Sequence, residues 1–154
     1  MLFSFVKNLS EKLIPLLLEG CCTPQIARIA TKLKEPSTTI HYNIKKLEEQ
    51  KTIKAYKAVF DYKKIDKGHC TYLLGNLGPE HYSNPEKIAE ALAKHPEVES
   101  VDIVTGDYEL LIKLRTKDID TYYAFVKFMV KQYAFAKTYS ITSLKQVKTE
   151  FVQM

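Results

Sequence analysis

Apolar positions recur at helical spacing three times in the first third of the chain. Leu13, Leu16 and Leu17 mark one stripe within residues 9–19. Ser10 is placed to cap that helix and Gly20 to stop it, while Pro15 inside it predicts a kink or a late start. A second pattern (Ile29, Ala30, Leu33) covers about 24–33, with Pro24 near its first position. It breaks at Glu35-Pro36, and a third begins at once over 36–50, with Ile40, Ile44 and Leu47 facing inward. Helix, tight turn, helix is a helix-turn-helix pattern. Residues 53–60 then alternate in a β-like way, which predicts a short wing or linker strand, and Asp61 to Gly68 reads as a turn-bearing connection.

The period changes in the second half. Strands are predicted over 69–77, 98–105, 108–116 and 137–149, and helices over 84–95 and 118–132. Asn84 and Asp118 are the expected caps and Pro85 a first-turn proline. The order βαββαβ is the ferredoxin-like split pattern. The fold class is therefore α+β, with a helix-turn-helix domain at 1–51, a wing or linker segment at 52–68 and a ferredoxin-like domain at 69–154. Strand 69–77 is apolar on both faces, Leu73 and Leu77 opposite Cys70, Tyr72 and Leu74. Helix 118–132 is apolar around much of its circumference. Surfaces of that kind predict self-association.

Charge sharpens the picture. Residues 1–66 carry 12 Lys/Arg against 7 Asp/Glu, whereas residues 67–154 carry 11 of each. The whole surplus of +5 lies in the half with the helix-turn-helix, as expected of a nucleic-acid-binding part joined to a neutral one. On the third helix, Ser37, Thr38, His41 and Tyr42 fall at the N-terminal outward positions that would meet base edges in a DNA groove. Lys45 and Lys46 fall where phosphates would lie. Three cysteines (Cys21, Cys22, Cys70) make a poor disulfide framework, and no Cys/His spacing suits a metal, so free thiols and no cofactor are expected. No apolar run approaches the roughly 20 residues needed to cross a bilayer. The N-terminal stretch meets charge too early for a signal peptide, so a cytoplasmic protein without a membrane partner is expected.

Taken together, IATKL, STTIHYNIKKLEEQKTIKAY and FDYKKIDKG in the first half, with HPEVESVDIVTGDYELLIKLRT in the second, resemble the Lrp/AsnC (feast/famine) family of transcription regulators. The resemblance implies a DNA-binding helix-turn-helix joined to a ferredoxin-like "RAM" domain that binds amino acids. It also implies homodimers formed through open sheet faces, assembled further into tetramers or octamers. By that likeness Gly106, Asp107 and Tyr108 are effector-binding candidates at the Gly-Asp turn, with Thr138 and Thr142 on the last strand beside them. The same turn reads structurally as well, with Gly106 supplying a permissive backbone and Asp107 a local turn bond. The chain departs from the family at Lys51, where a glycine is usual after the recognition helix, and at Asn43, where an arginine is usual and which the helical wheel leans toward the core.

The expected function is a sequence-specific regulator that binds double-stranded DNA and responds to a small molecule, an amino acid foremost. Two alternatives share the pattern: an architectural DNA-binding protein without effector, and an enzyme resembling the siroheme decarboxylases. The enzyme would need proton-handling groups converging on one pocket. His41, His69, His81 and His95 are spread along the chain without paired carboxylates or a nucleophile motif, so no catalytic residue is assigned.

Overall fold

A computed structural model describes residues 2–81 and 83–148, with side chains from Lys12 onward and at Leu9. The chain divides into two compact units, Met1–Val59 and Phe60–Met154.

The first unit contains α1 (Leu2–Glu19), α2 (Ile26–Leu33) and α3 (Ser37–Glu49). Helix α1 starts earlier than its sequence implied and runs through Pro15. Ser10 therefore lies inside the helix rather than at its cap. Pro24 stands outside α2, whose cap position is Gln25, because the Ile26 N–H already bonds the Pro24 carbonyl at 3.0 Å. Lys34 takes the left-handed conformation that ends α2, and Pro36, with its φ of −59°, opens α3 from the cap position. Ala30 and Ile40 are the buried apolar anchors of the two helices. Leu47, expected inside, is 39% exposed.

No strand forms at 53–60. The segment has no strand partner in its unit and is tied to helices instead. The Tyr56 hydroxyl donates to Glu48 Oε1 on α3 at 2.8 Å, and the Ala58 N–H reaches the Leu17 carbonyl on α1 at 3.5 Å. Lys51, the non-glycine after α3, sits at φ 56°.

The second unit opens with a 3₁₀ turn (Tyr62–Ile65), followed by β1 (His69–Leu77), α4 (Pro85–Leu92), β2 (Val98–Ile103), β3 (Leu110–Thr116), α5 (Ile119–Gln132) and β4 (Phe135–Thr142). The sheet order is β2-β3-β1-β4, antiparallel throughout, which is the ferredoxin-like arrangement. Asn84 and Asp118 cap α4 and α5 as expected, accepting from the Lys87 and Thr121 N–H groups at 3.1 and 2.8 Å. Strand alternation sends Leu73 and Leu77 of β1 and Leu110, Ile112 and Leu114 of β3 to one face. There they pack with Ile88 and Leu92 of α4 and Tyr122, Phe125 and Met129 of α5. Each fully buried leucine contributes about 1.5–3 kcal/mol.

Strand β3 begins at Leu110 rather than 108, because Glu109 is held in the turn before it. Strand β4 spans 135–142 rather than 137–149: Phe135 already pairs with Leu77 across an irregularity at Asn76/Leu77, and 143–148 leave the ladder. Position 149 lies outside the described residues.

Candidate functional sites

The first candidate site is the outer surface of α3. Ser37, Thr38, His41, Tyr42, Lys45 and Lys46 are all exposed, Tyr42 at 68%. They share the helix with inward Ile40 and half-buried Ile44, so the predicted stripe and its polar counterpart coexist on one element. Lys45 approaches Glu49 at 3.9 Å, but both side chains are about two-thirds exposed, so the pair holds the lysine only weakly. Asn43 is exposed, not turned to the core. Its Nδ2 donates back to the Thr39 carbonyl at 2.8 Å, which satisfies the amide within the helix. The face therefore offers hydroxyls, an imidazole and a phenol at its N-terminal half and two cations behind them. Those groups are suited to base edges and phosphates respectively.

The second candidate site is the turn between β2 and β3. Gly106 has φ +113°, and a Cβ built there would meet nothing within 4 Å. The glycine is thus required by backbone conformation and not by crowding. The turn is clasped by Asn76, which sequence reasoning missed, and by Glu109, the acidic residue that follows Tyr108 in the turn motif. Asn76 Nδ2 donates to the Asp107 carbonyl at 2.8 Å, and its Oδ1 accepts from the Glu109 N–H at 3.2 Å. The Glu109 carboxylate in turn accepts from the Leu77 N–H at 2.7 Å, just where the β1–β4 register slips. The available signal was Asn76 itself, since asparagine is depleted in strand interiors. Both Asp107 carboxylate and Gly106 face solvent.

Tyr108 lies beside the turn with its ring centroid 6.5 Å from that of Tyr139, and Lys137 Nζ stands 5.4 Å from the Tyr108 centroid. Thr138 pairs with Gly75, which also pairs with Leu110 at the end of the turn, so Thr138 belongs to this end of the sheet. Thr142 does not. It pairs with Thr71, four residues or roughly 13 Å further along β1, and its hydroxyl lies 3.4 Å from that of Thr71.

The sheet face away from the helices carries Cys70, Tyr72 and Leu74 of β1, Leu111, Lys113 and Arg115 of β3, and Tyr139 and Ile141 of β4. Tyr139 and Ile141 are 54% and 47% exposed. Arg115 is buried beneath the Tyr62 ring, its Cζ 3.8 Å from the centroid, and is ion-paired with Glu99. Lys113 joins the same carboxylate at 2.8 Å. Burial pushes the Glu99 carboxyl up, but the bonds from Lys113 and Arg115 outweigh it and leave the group below its ordinary value. Burial pushes the Cys70 thiol up, opposed in part by Arg115 and Lys113. Burial likewise raises the Tyr122 phenol, against the opposing effect of its bond with Ser140.

Among the described residues, His69 and His95 of the second unit each bond a different partner. His41 is on α3, His69 Nε2 lies 3.1 Å from the Thr71 hydroxyl, and His95 Nε2 lies 2.7 Å from the Tyr133 hydroxyl among Phe125 and Phe128. Among the described residues there is no group of three or more potential metal ligands, and no helix is long and apolar enough to cross a membrane.

A helix-turn-helix with an exposed second helix that carries two lysines on its outer face, joined in one chain to a ferredoxin-like sheet with a glycine-bearing turn, defines a two-part class of regulator. Comparison with known proteins specifies the class. Residues 76–152 match the model of the Lrp/AsnC ligand-binding domain. The HTH-type transcriptional regulator FL11 of Pyrococcus horikoshii is 34% identical over 113 residues, covering 72% of this chain and 71% of its own. An uncharacterized HTH-type transcriptional regulator of Pyrococcus abyssi is 35% identical over 95 residues, 62% of this chain; that match spans 63% of the relative's length. Among solved structures, an AsnC family transcriptional regulator from Agrobacterium tumefaciens superposes with a TM-score of 0.76 at 23% identity, over 95% of each chain. The feast or famine regulatory protein of M. tuberculosis complexed with L-methionine superposes with a TM-score of 0.75 at 15% identity, over 84% of this chain and 86% of that one. The chain belongs to the Lrp/AsnC family.

Proposed function

We propose that the protein is an oligomeric, sequence-specific DNA-binding transcription regulator whose activity is set by an amino acid or a similar small molecule, and that it acts by binding and not by catalysis. In this reading residues 1–51 contact DNA, 52–68 connect, and 69–154 bind effector and self-associate in the cytoplasm. The observation that carries it is the outward face of α3, where six exposed groups of DNA-contacting type occupy one side of a helix anchored by Ile40. The family's transcriptional regulators support the same reading, and the methionine complex of one structural relative supports the effector.

Ser37, Thr38, His41 and Tyr42 read bases and Lys45 and Lys46 hold phosphates. The open sheet face with its exposed Tyr139 and Ile141 joins two copies, so that paired recognition helices meet a partly symmetric site. The effector sits at Gly106, Asp107 and Tyr108, with Thr138 at the same end of the sheet. Asp107 is free to take an ammonium group, and Tyr108 is free to flank a side chain. Thr142 lies too far along β4 to join them in one protomer.

The test is anisotropy titration against DNA fragments selected from a genomic pool, over a salt series. Lys45→Ala and Lys46→Ala should each reduce the slope of log K against log salt by about one. Tyr42→Ala or Thr38→Ala should relax base preference by about 1–3 kcal/mol at the bases read. Weak binding, equal for every fragment, refutes specific regulation. Calorimetry with the twenty amino acids tests the effector: at least one should bind, and Asp107→Ala should abolish it.

A further inference from the structure

The loop between α1 and α2 carries adjacent cysteines that neither site uses. Cys21 is exposed and Cys22 half-buried, whereas free cysteines are among the most buried residue types. The loop is held by its backbone: Cys21 N–H donates to the Leu16 carbonyl at 2.9 Å and Cys22 N–H to the Gly20 carbonyl at 2.6 Å. The thiols themselves are little engaged. Among the described residues the only bond recorded for either is a weak one from Cys22 Sγ to the Leu17 carbonyl at 3.8 Å.

Two chemistries suit a neighbouring thiol pair, and geometry separates them. A direct disulfide needs Cα atoms about 4.4–6.8 Å apart, but consecutive residues across a trans peptide are held at about 3.8 Å. The S–S bond would close a tight ring containing a planar peptide. A third atom between the sulfurs widens that ring. Zinc is a poor choice for it, because a structural zinc site wants four ligands and no cluster of three or more is found among the described residues. A thiophilic centre content with two thiolates in a bent arrangement fits better.

We propose that Cys21 and Cys22 form a two-thiolate site for trivalent arsenic species. With arsenous acid the step balances without an oxidant or reductant. Each thiol proton leaves with one arsenic hydroxide as water, two As–O bonds break, two As–S bonds form, and arsenic stays trivalent with one hydroxyl.

The site is connected to α3 within its own unit. Gly20, at φ +108°, lies so close to the Tyr56 carbonyl that a Cβ would come within 2.9 Å of that oxygen. The Tyr56 hydroxyl in turn bonds Glu48 on α3. Closing a ring one residue from Gly20 therefore strains a strap that ends on the recognition helix.

The experiment uses the reduced full chain, sodium arsenite as the probe and native mass spectrometry as the readout, with zinc as a parallel arm. One arsenic per chain is expected, together with loss of both accessible thiols, Cys70 being buried. Cys21→Ser and Cys22→Ser should each weaken binding about a hundredfold, since the second thiol acts at millimolar effective concentration, while Cys70→Ser should bind as the wild type does. No adduct, equal adducts in Cys21→Ser, or tighter zinc than arsenic binding overturns the site. The coupling to α3 rests on the DNA reading and is tested separately: arsenite should release bound DNA from the wild type and not from Cys21→Ser. Release that is equal in both, or absent, overturns the coupling. Absence of any DNA binding before arsenite is added would fail the DNA reading while leaving the arsenic stoichiometry to stand on its own.

Discussion

Gly75→Ala is the sharpest probe of how the second unit is packed. Gly75 lies mid-strand between Leu110 and Thr138. A Cβ there would stand 2.3 Å from Cε1 and 2.6 Å from Cδ1 of Phe135, whose buried ring lies across the glycine. Its backbone is ordinary strand, so alanine carries no conformational penalty and gains up to about 1 kcal/mol from a less flexible unfolded chain. Against that gain, the phenyl ring must swing aside and give up part of a burial worth about 1.5–3 kcal/mol, or β1 and β4 must separate. Overpacking of this kind costs about 1–3 kcal/mol net. For a unit of this size that lowers Tm by roughly 5–15 °C. The assay is urea unfolding of wild type, Gly75→Ala, Phe135→Leu and the double variant. Leucine at 135 vacates the space the new methyl wants, so the double variant should lose at least about 0.5 kcal/mol less than the sum of the singles. A Gly75→Ala protein within about 0.5 kcal/mol of wild type, or strict additivity, would refute the argument.

Two further outcomes are expected. Lys51 occupies the left-handed region at φ 56°, so Lys51→Gly should stabilise the first unit by about 0.5–1 kcal/mol after the entropy of the more flexible unfolded chain is deducted; a lower urea midpoint would contradict this. The folded Glu99 carboxyl lies below its ordinary value of 4.5, so its stabilisation is complete above that pH and is lost as pH falls through the lower folded value. Glu99→Gln should therefore flatten the acid limb of the stability curve, and parallel limbs for the two proteins would rule the linkage out.

Where local chemistry decides an element, the sequence was readable. Asn84 and Asp118 carry their helix starts in one side chain each, and the two-sided apolarity of β1 announced both the core under α4 and α5 and the open face beyond. Where long-range contacts decide, it was not. The alternation at 53–60 had the right period for a strand and no neighbour to pair with. Phe135 enters β4 early because it covers Gly75, a contact that no local window contains. The six positions of the α3 face were visible from periodicity alone. The turn at Gly106 was legible as the break between two predicted strands and only its effector role came from the family likeness, but the clasp beneath it needed partners more than thirty residues apart in sequence. Asn43 was misplaced because a wheel assigns direction, not hydrogen bonds, and its amide found one at Thr39.

The clasp divides the β2–β3 turn into two parts with different histories open to them. The Asn76 side chain serves two backbone groups and the Glu109 carboxylate one, so a change at either leaves a turn carbonyl or a strand amide without its partner. A substitution at either position alone is expected to loosen the turn. The exposed rim at Asp107 and the flanking Tyr108 and Lys137 carries no such duty to the sheet. In the proposed reading, substitutions at the rim alone would alter ligand preference and leave the β1 register undisturbed.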